Sequence, residues 1–166
     1  MLDRAPQRVA VLGSGSWGTT LAILLSKRGL ACRLWARRSA DARQMRRERE
    51  NTRFLPGFRL PPNLVITNSL GKAVSQAELV VLVVPMRSVA ENLAHVGGLL
   101  PEHVILVSGV KGLDGRTGKR VSEMIEESLQ NRPLAGFATL SGPNLAIEVA
   151  AEEPTAAVIA SSSRCV

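Results

Sequence analysis

Short apolar runs alternate with longer amphipathic ones along the whole chain. Val9–Leu12, Ala31–Ala36, Leu64–Thr67, Leu79–Val84, Val104–Val107, Leu134–Leu140 and Thr155–Ala160 have the length and residue type of strands. Leu79–Val84 is β-branched and uninterrupted, which predicts burial on both faces, as in a parallel sheet. Between these runs the spacing predicts helices over 16–28, 39–50, 69–76, 87–100 and 119–130, with a short one ending near Ala151. In the first helix Trp17, Leu21, Leu24 and Leu25 share one face, and Gly29 suits the C-terminal cap. Ser39 is placed to cap the second, whose only large apolar residue is Met45, so most of that helix is expected to face solvent. Gly97-Gly98 weakens the end of the fourth helix. Val121, Met124, Ile125 and Leu129 give the fifth an apolar face. Residues 51–63, with Pro56, Gly57, Pro61 and Pro62, read as a long loop, and long loops in compact domains are often functional.

Strands alternating with helices predict an α/β fold: a Rossmann-type, doubly wound, mostly parallel sheet with helices on both faces. At 166 residues the chain has room for one such domain, with a core over about residues 8–161. No run is long enough to span a membrane, and Met1–Pro6 lacks the apolar centre of a signal peptide. Cys32 and Cys165 make neither a disulfide framework nor a metal-ligand spacing. The expectation is therefore a reduced, cytoplasmic setting, two inert thiols and no metal. His95 and His103 have no evident partner and read as structural.

Charge changes this picture locally. Residues 1–60 hold 13 Lys and Arg against 4 Asp and Glu, whereas residues 61–166 hold 8 against 10. The net charge of +7 therefore comes from the first third of the chain. Such a patch can meet nucleic acid, steer an anionic ligand, or simply solvate an arginine-rich helix. The five aromatic residues and the lack of an RNA-binding signature argue against nucleic acid.

The first strand runs straight into Gly13-Ser-Gly15-Ser-Trp-Gly18, and a helix follows without a gap. Strand, glycine turn and helix form the arrangement a dinucleotide site requires. Gly13 is expected to make the turn, Gly15 to let backbone approach a pyrophosphate, and Gly18 to let helix lie against strand. The first-turn N–H groups and the helix dipole would then favour the phosphates. Arg37 and Arg38 follow the second strand, where an NAD-selective site carries an acid. A guanidinium can clamp a 2′-phosphate, so NADP is favoured over NAD. Lys111, in a glycine-rich loop, can reach a phosphate or polarise an oxygen, although most loop lysines are only solvated. Ser141-Gly-Pro-Asn144 offers N–H groups and an amide at a helix start, or is merely a capped turn. All four features fall at strand C-terminal ends, where open parallel sheets bind ligands.

These residues carry a family resemblance. Gly13 to Thr19, Leu34-Trp-Ala-Arg-Arg38, Asn51-Thr-Arg-Phe-Leu-Pro-Gly57, Leu60-Pro-Pro-Asn63, Val83-Val-Pro85, Lys111-Gly-Leu113, Thr117-Gly118 and Ser141-Gly-Pro-Asn144 occur in that order. Over about residues 8–161 the chain resembles the N-terminal domain of bacterial NAD(P)-dependent glycerol-3-phosphate dehydrogenase. The resemblance implies reversible hydride transfer between NAD(P)H and dihydroxyacetone phosphate, giving sn-glycerol 3-phosphate for phospholipid synthesis. It implies that Ser16 and Trp17 meet the cofactor phosphates through their amides and that Arg37 and Arg38 select the cofactor. Phe54 and Ala146 would be further cofactor contacts. Lys111 would lie near both cofactor and substrate, and Gly142 and Asn144 would touch substrate. Asn144 departs from the usual Ser or Thr, and Gly109 stands near a usual Ala-Thr.

The family continues into a helical C-terminal domain that carries the catalytic lysine. No catalytic residue is therefore expected in this segment, which should bind cofactor without turnover. A homodimer of the complete protein stays open. The alternatives are another NADP-linked two-domain dehydrogenase, of hydroxyacid or ketopantoate type, and a non-catalytic nucleotide or nucleic-acid module.

Overall fold

The chain is described from a computed structural model, which covers residues 4–130 and 132–162. Cys165 lies outside these residues. Among the described residues nine strands form: β1 (Arg8–Leu12), β2 (Ala31–Trp35), β3 (Glu50–Asn51), β4 (Leu55–Arg59), β5 (Val65–Thr67), β6 (Leu79–Leu82), β7 (Ile105–Ser108), β8 (Gly136–Ser141) and β9 (Val158–Ser161). Seven of them make one sheet in the order β5-β2-β1-β6-β7-β8-β9. All its pairings are parallel except β8 with β9, where Leu140 opposes Ile159. The chain builds outward from β1 to β2 and β5, then crosses back to place β6 on the other side of β1. The strand order thus reverses between β1 and β6, and a crevice opens beyond their C-terminal ends.

The helices are α1 (Ser16–Lys27), α2 (Ser39–Glu48), α3 (Leu70–Val74), α4 (Val89–Gly97), α5 (Val121–Leu129) and α6 (Ala146–Ala150). They cover the sheet from two sides and enclose two cores. One joins Leu82, Leu93, Leu106 and Ile125 and includes the faces of α3, α4 and α5. The other joins Val11, Ile23, Leu34, Met45, Leu55 and Leu60 and includes α1 and α2. Only Ala42 and Met45 of α2 are buried, which agrees with its polar composition.

Several elements differ from the sequence reading. The buried face of α1 carries Gly18, Thr19, Thr20, Ala22, Ile23 and Ser26, while Leu21, Leu24 and Leu25 are only half-buried. Small side chains let the helix approach the sheet closely, and the leucines flank that contact. Residues 51–63 are not a bare loop: β3 and β4 pair antiparallel as a hairpin. Leu55 and Leu60 anchor it in the core, and Pro56 and Gly57 are tolerated because the ribbon has only two strands. Arg38, not Ser39, is the N-cap of α2, and no side chain caps it. A 3-10 turn, Met86–Ser88, precedes α4. Gly97 stays because a Cβ there would stand 3.0 Å from Leu129 Cδ2, across the α4–α5 contact. The last strand begins at Val158, and every residue of β9 is exposed.

Candidate functional site

The crevice begins at the turn after β1. Gly13 has φ +121°, and a Cβ there would lie 2.5 Å from the Val83 carbonyl oxygen. Its N–H donates to Trp35 O at 3.2 Å, which ties the turn to the end of β2. At Gly18 a Cβ would fall 1.9 Å from Gly13 O, so this glycine sets how closely α1 lies against the turn. Gly15 is different: nothing comes within 4 Å of a Cβ built there. Its space opens onto the crevice, as expected where backbone must meet a ligand. Gly15 caps α1 without a side chain, and no acidic residue occupies the first turn. The N–H groups of Gly15, Ser16 and Trp17 meet no acceptor among the described residues. Free donors and a positive helix end suit an anion.

The cleft beyond these donors has a volume of about 780 Å³, within the range of small-molecule and cofactor pockets. Gly13, Gly15, Ser16, Trp17, Gly18, Arg37, Arg38, Phe54, Lys111, Asn144 and Ala146 all line it. Gly142 does not. It stands behind the wall, where its carbonyl accepts from Lys111 Nζ at 3.1 Å. A Cβ at Gly142 would lie 2.5 Å from Ala156 O, so glycine here allows the turn to pack on the segment leading into β9. Asn144 is also more engaged than its sequence context suggests. Its Nδ2 donates to Thr155 Oγ1 at 2.8 Å and to Ala156 O at 2.9 Å, closing the turn rather than pointing a free donor at a ligand. Gly109 provides the seat of Trp17: a Cβ would be 3.2 Å from Trp17 Nε1.

One end of the cleft is cationic. Arg37 stands 3.7 Å from Glu91, and Arg38 stands 3.9 Å from Asp41. Arg53, which the sequence reading passed over, enters from the hairpin tip beside Phe54. Its Nη1 is 3.6 Å from Asp41, and its guanidinium sits 4.8 Å from the Phe54 ring centroid. Two guanidiniums, those of Arg38 and Arg53, therefore border the Asp41 carboxylate while Arg37 faces Glu91, and all three are exposed enough to meet a ligand. Arg53 could have been found from its neighbour, since the loop had already been singled out by Phe54. Asp41 and Arg87 also line the cleft and carried no sequence signal of their own.

Elsewhere three arginines bond to backbone carbonyls, and Arg4, Arg8 and Lys27 pair with Glu78 or Glu152. Arg33 donates to Lys72 O and Ser75 O, Arg46 to Ile66 O, and Arg49 to the carbonyls of Leu60, Pro61 and Leu64. Burial pushes the Cys32 thiol up to about 12, so it stays protonated and unreactive near neutrality. His95 and His103 are exposed. Among the described residues no group of three or more His, Cys, Asp or Glu is placed to hold a metal. No helix among them is long and apolar enough to cross a membrane.

The doubly wound sheet, with its glycine turn at the switch point, defines a Rossmann-type domain. Residues 8–165 match the family described as NAD-dependent glycerol-3-phosphate dehydrogenase N-terminus. The chain belongs to that family. It is 44% identical over 155 residues to a glycerol-3-phosphate dehydrogenase [NAD(P)+] of Chlorobium limicola, covering 93% of this chain and 46% of that protein. It is 45% identical over 152 residues to one from Corynebacterium glutamicum, covering 92% of this chain and 46% of that one. Among solved structures, glycerol-3-phosphate dehydrogenase of Coxiella burnetii superposes with a TM-score of 0.88 at 32% identity, covering 95% of this chain and 47% of that one. The chain thus spans about half the length of the relatives it matches.

Proposed function

We propose that this chain is the cofactor-binding part of a glycerol-3-phosphate dehydrogenase and that it takes NADP(H) in preference to NAD(H). The observation that carries this reading is the composition of one cleft. Free helix-end donors, a cluster of three guanidiniums and Lys111 face the same space. The donors of Gly15, Ser16 and Trp17 suit a pyrophosphate. Arg37, Arg38 and Arg53 suit a 2′-phosphate on the adenosine side. Phe54 offers an apolar face to a base. A bound nicotinamide supplies or accepts the hydride. Lys111, held against the Ser141–Asn144 turn by Gly142 O, is placed to meet the phosphate or carbonyl of a three-carbon substrate.

Hydride transfer also needs the substrate held against the nicotinamide and a group to move the hydroxyl proton. The chain spans about half the length of the relatives it matches, and we infer that this group lies in the half it does not span. The expected behaviour of this chain is therefore binding without turnover. Both tryptophans of the sequence, Trp17 and Trp35, line the cleft. NADPH should quench their emission saturably, while dihydroxyacetone phosphate plus NADPH gives no oxidation. Unchanged tryptophan emission at saturating NADPH would count against the reading.

A further inference from the structure

Asn51 takes no part in lining the cleft, yet it bonds to two residues that do, Ser14 and Phe54, and to Thr19 behind them. It sits in β3 at 3% exposure. Its Nδ2 donates to Ser14 O at 2.9 Å and to Thr19 Oγ1 at 2.7 Å. Its Oδ1 accepts from Phe54 N at 3.3 Å. Thr19, fully buried in α1, adds a longer bond from Oγ1 to Ser14 O at 3.4 Å. The Ser14 carbonyl is therefore held toward the protein interior by a buried side-chain amide from a different element.

That has a consequence one bond further on. The described residues contain no cis peptide, and in a trans peptide C=O and N–H point in opposite directions. Holding Ser14 O inward aims Gly15 N–H outward, at the cleft. Glycine on the far side of this peptide makes rotation of the peptide plane inexpensive, because no Cβ resists it. Without the internal Asn51 donor to hold Ser14 O, the peptide is free to turn. It would then present a carbonyl to the phosphates where it now presents a donor.

We propose that Asn51 is a positioning residue for the anion site: it fixes the Ser14–Gly15 peptide in the orientation that lets Gly15 N–H bind a pyrophosphate. This rests on the cofactor reading above, and it explains why a buried amide reaches across from the hairpin to the glycine turn. Asn51→Ala removes the donor. Asn51→Asp keeps the shape but sets a carboxylate against the Ser14 carbonyl, which favours the turned peptide more strongly.

The test compares the 166-residue chain with both variants, at a temperature where thermal melts show all three folded. Asn51→Ala should weaken NADPH roughly tenfold, the scale of one lost charge-assisted hydrogen bond. Asn51→Asp should weaken it by more. NADH should weaken by the same factors, because the pyrophosphate is common to both cofactors. Amide hydrogen exchange gives a second readout that needs no cofactor: Gly15 N–H should exchange fast in the native chain and become protected in Asn51→Asp. Unchanged affinities with only a lowered melting midpoint would overturn the proposal and leave Asn51 a purely structural residue. A loss confined to NADPH would also overturn it, since the effect would then run through Arg53 and the hairpin. Failure of the unmutated chain to bind either cofactor would instead remove the cofactor reading on which the proposal stands.

Discussion

Asp41 is the one carboxylate that both Arg38 and Arg53 approach, at 3.9 and 3.6 Å. In the free protein it occupies them; with a 2′-phosphate present it competes. Asp41→Asn should therefore raise the preference for NADPH over NADH by roughly three- to fivefold, the scale of a partly exposed ion pair. Arg53→Ala should lower it by a similar factor while leaving NADH nearly unchanged. Affinities for both cofactors at one fixed salt concentration check this, and an unchanged ratio in both variants would remove Arg53 from the selecting group. Cys32 gives a second expectation at this scale. Its thiol ionises at about 12 in the folded chain against 9.0 ordinarily. The unfolded chain thus holds fewer protons than the folded one between those values, so this group's contribution to stability falls as pH rises from 9 toward 12. At neutral pH a thiol reagent should modify Cys32 only after denaturation; rapid modification of Cys32 in the folded chain would contradict its burial.

The glycine turn shows how much of an element can be read from residue order and how much cannot. The turn at Gly13 and the close packing at Gly18 follow from their spacing between a strand and a helix. The engagement of Asn144 and the network of Asn51 were not legible, because both depend on partners 11 to 37 residues away. The hairpin over 50–59 was hidden by Pro56 and Gly57, which punctuate strands in most contexts. The buried face of α1 was misjudged for a related reason. Large leucines mark the core in an isolated amphipathic helix, whereas close packing on a sheet selects Thr, Ala and Gly. Gly15 and Gly18 separate site from scaffold within one turn. Gly15→Ala enters open space with an ordinary φ of −69°, so stability should change by about 1 kcal/mol or less while cofactor affinity collapses. Gly18→Ala forces a contact 1.9 Å from Gly13 O and should cost roughly 2–4 kcal/mol. Denaturant melts of both variants decide this; equal stability losses would contradict it.

Over the whole molecule, the basic residues of the first third include arginines bonded to backbone carbonyls (Arg33, Arg46, Arg49), residues paired with carboxylates (Arg4 and Arg8 with Glu78, Lys27 with Glu152), and arginines that face the cleft. Apolar surface is left at the opposite edge of the sheet from β5. Leu145, Ile147, Val158 and Ile159 are each more than half exposed, and β9 is an edge strand with one side unpaired. This chain by itself should therefore associate with rising concentration, and Ile159→Lys should reduce that association in sedimentation velocity. A concentration-independent monomer before and after the substitution would contradict this.

One cleft is proposed to join a pyrophosphate site to a 2′-phosphate site. Calorimetric titration of the chain with NADPH and with NADH at the same ionic strength tests it most directly. Saturable one-to-one binding of both is expected, tighter for NADPH, with the advantage abolished when Arg37 and Arg38 are both replaced by alanine. Absence of heat and of competition with either cofactor, or equal binding of the two in the unmutated chain, would contradict it.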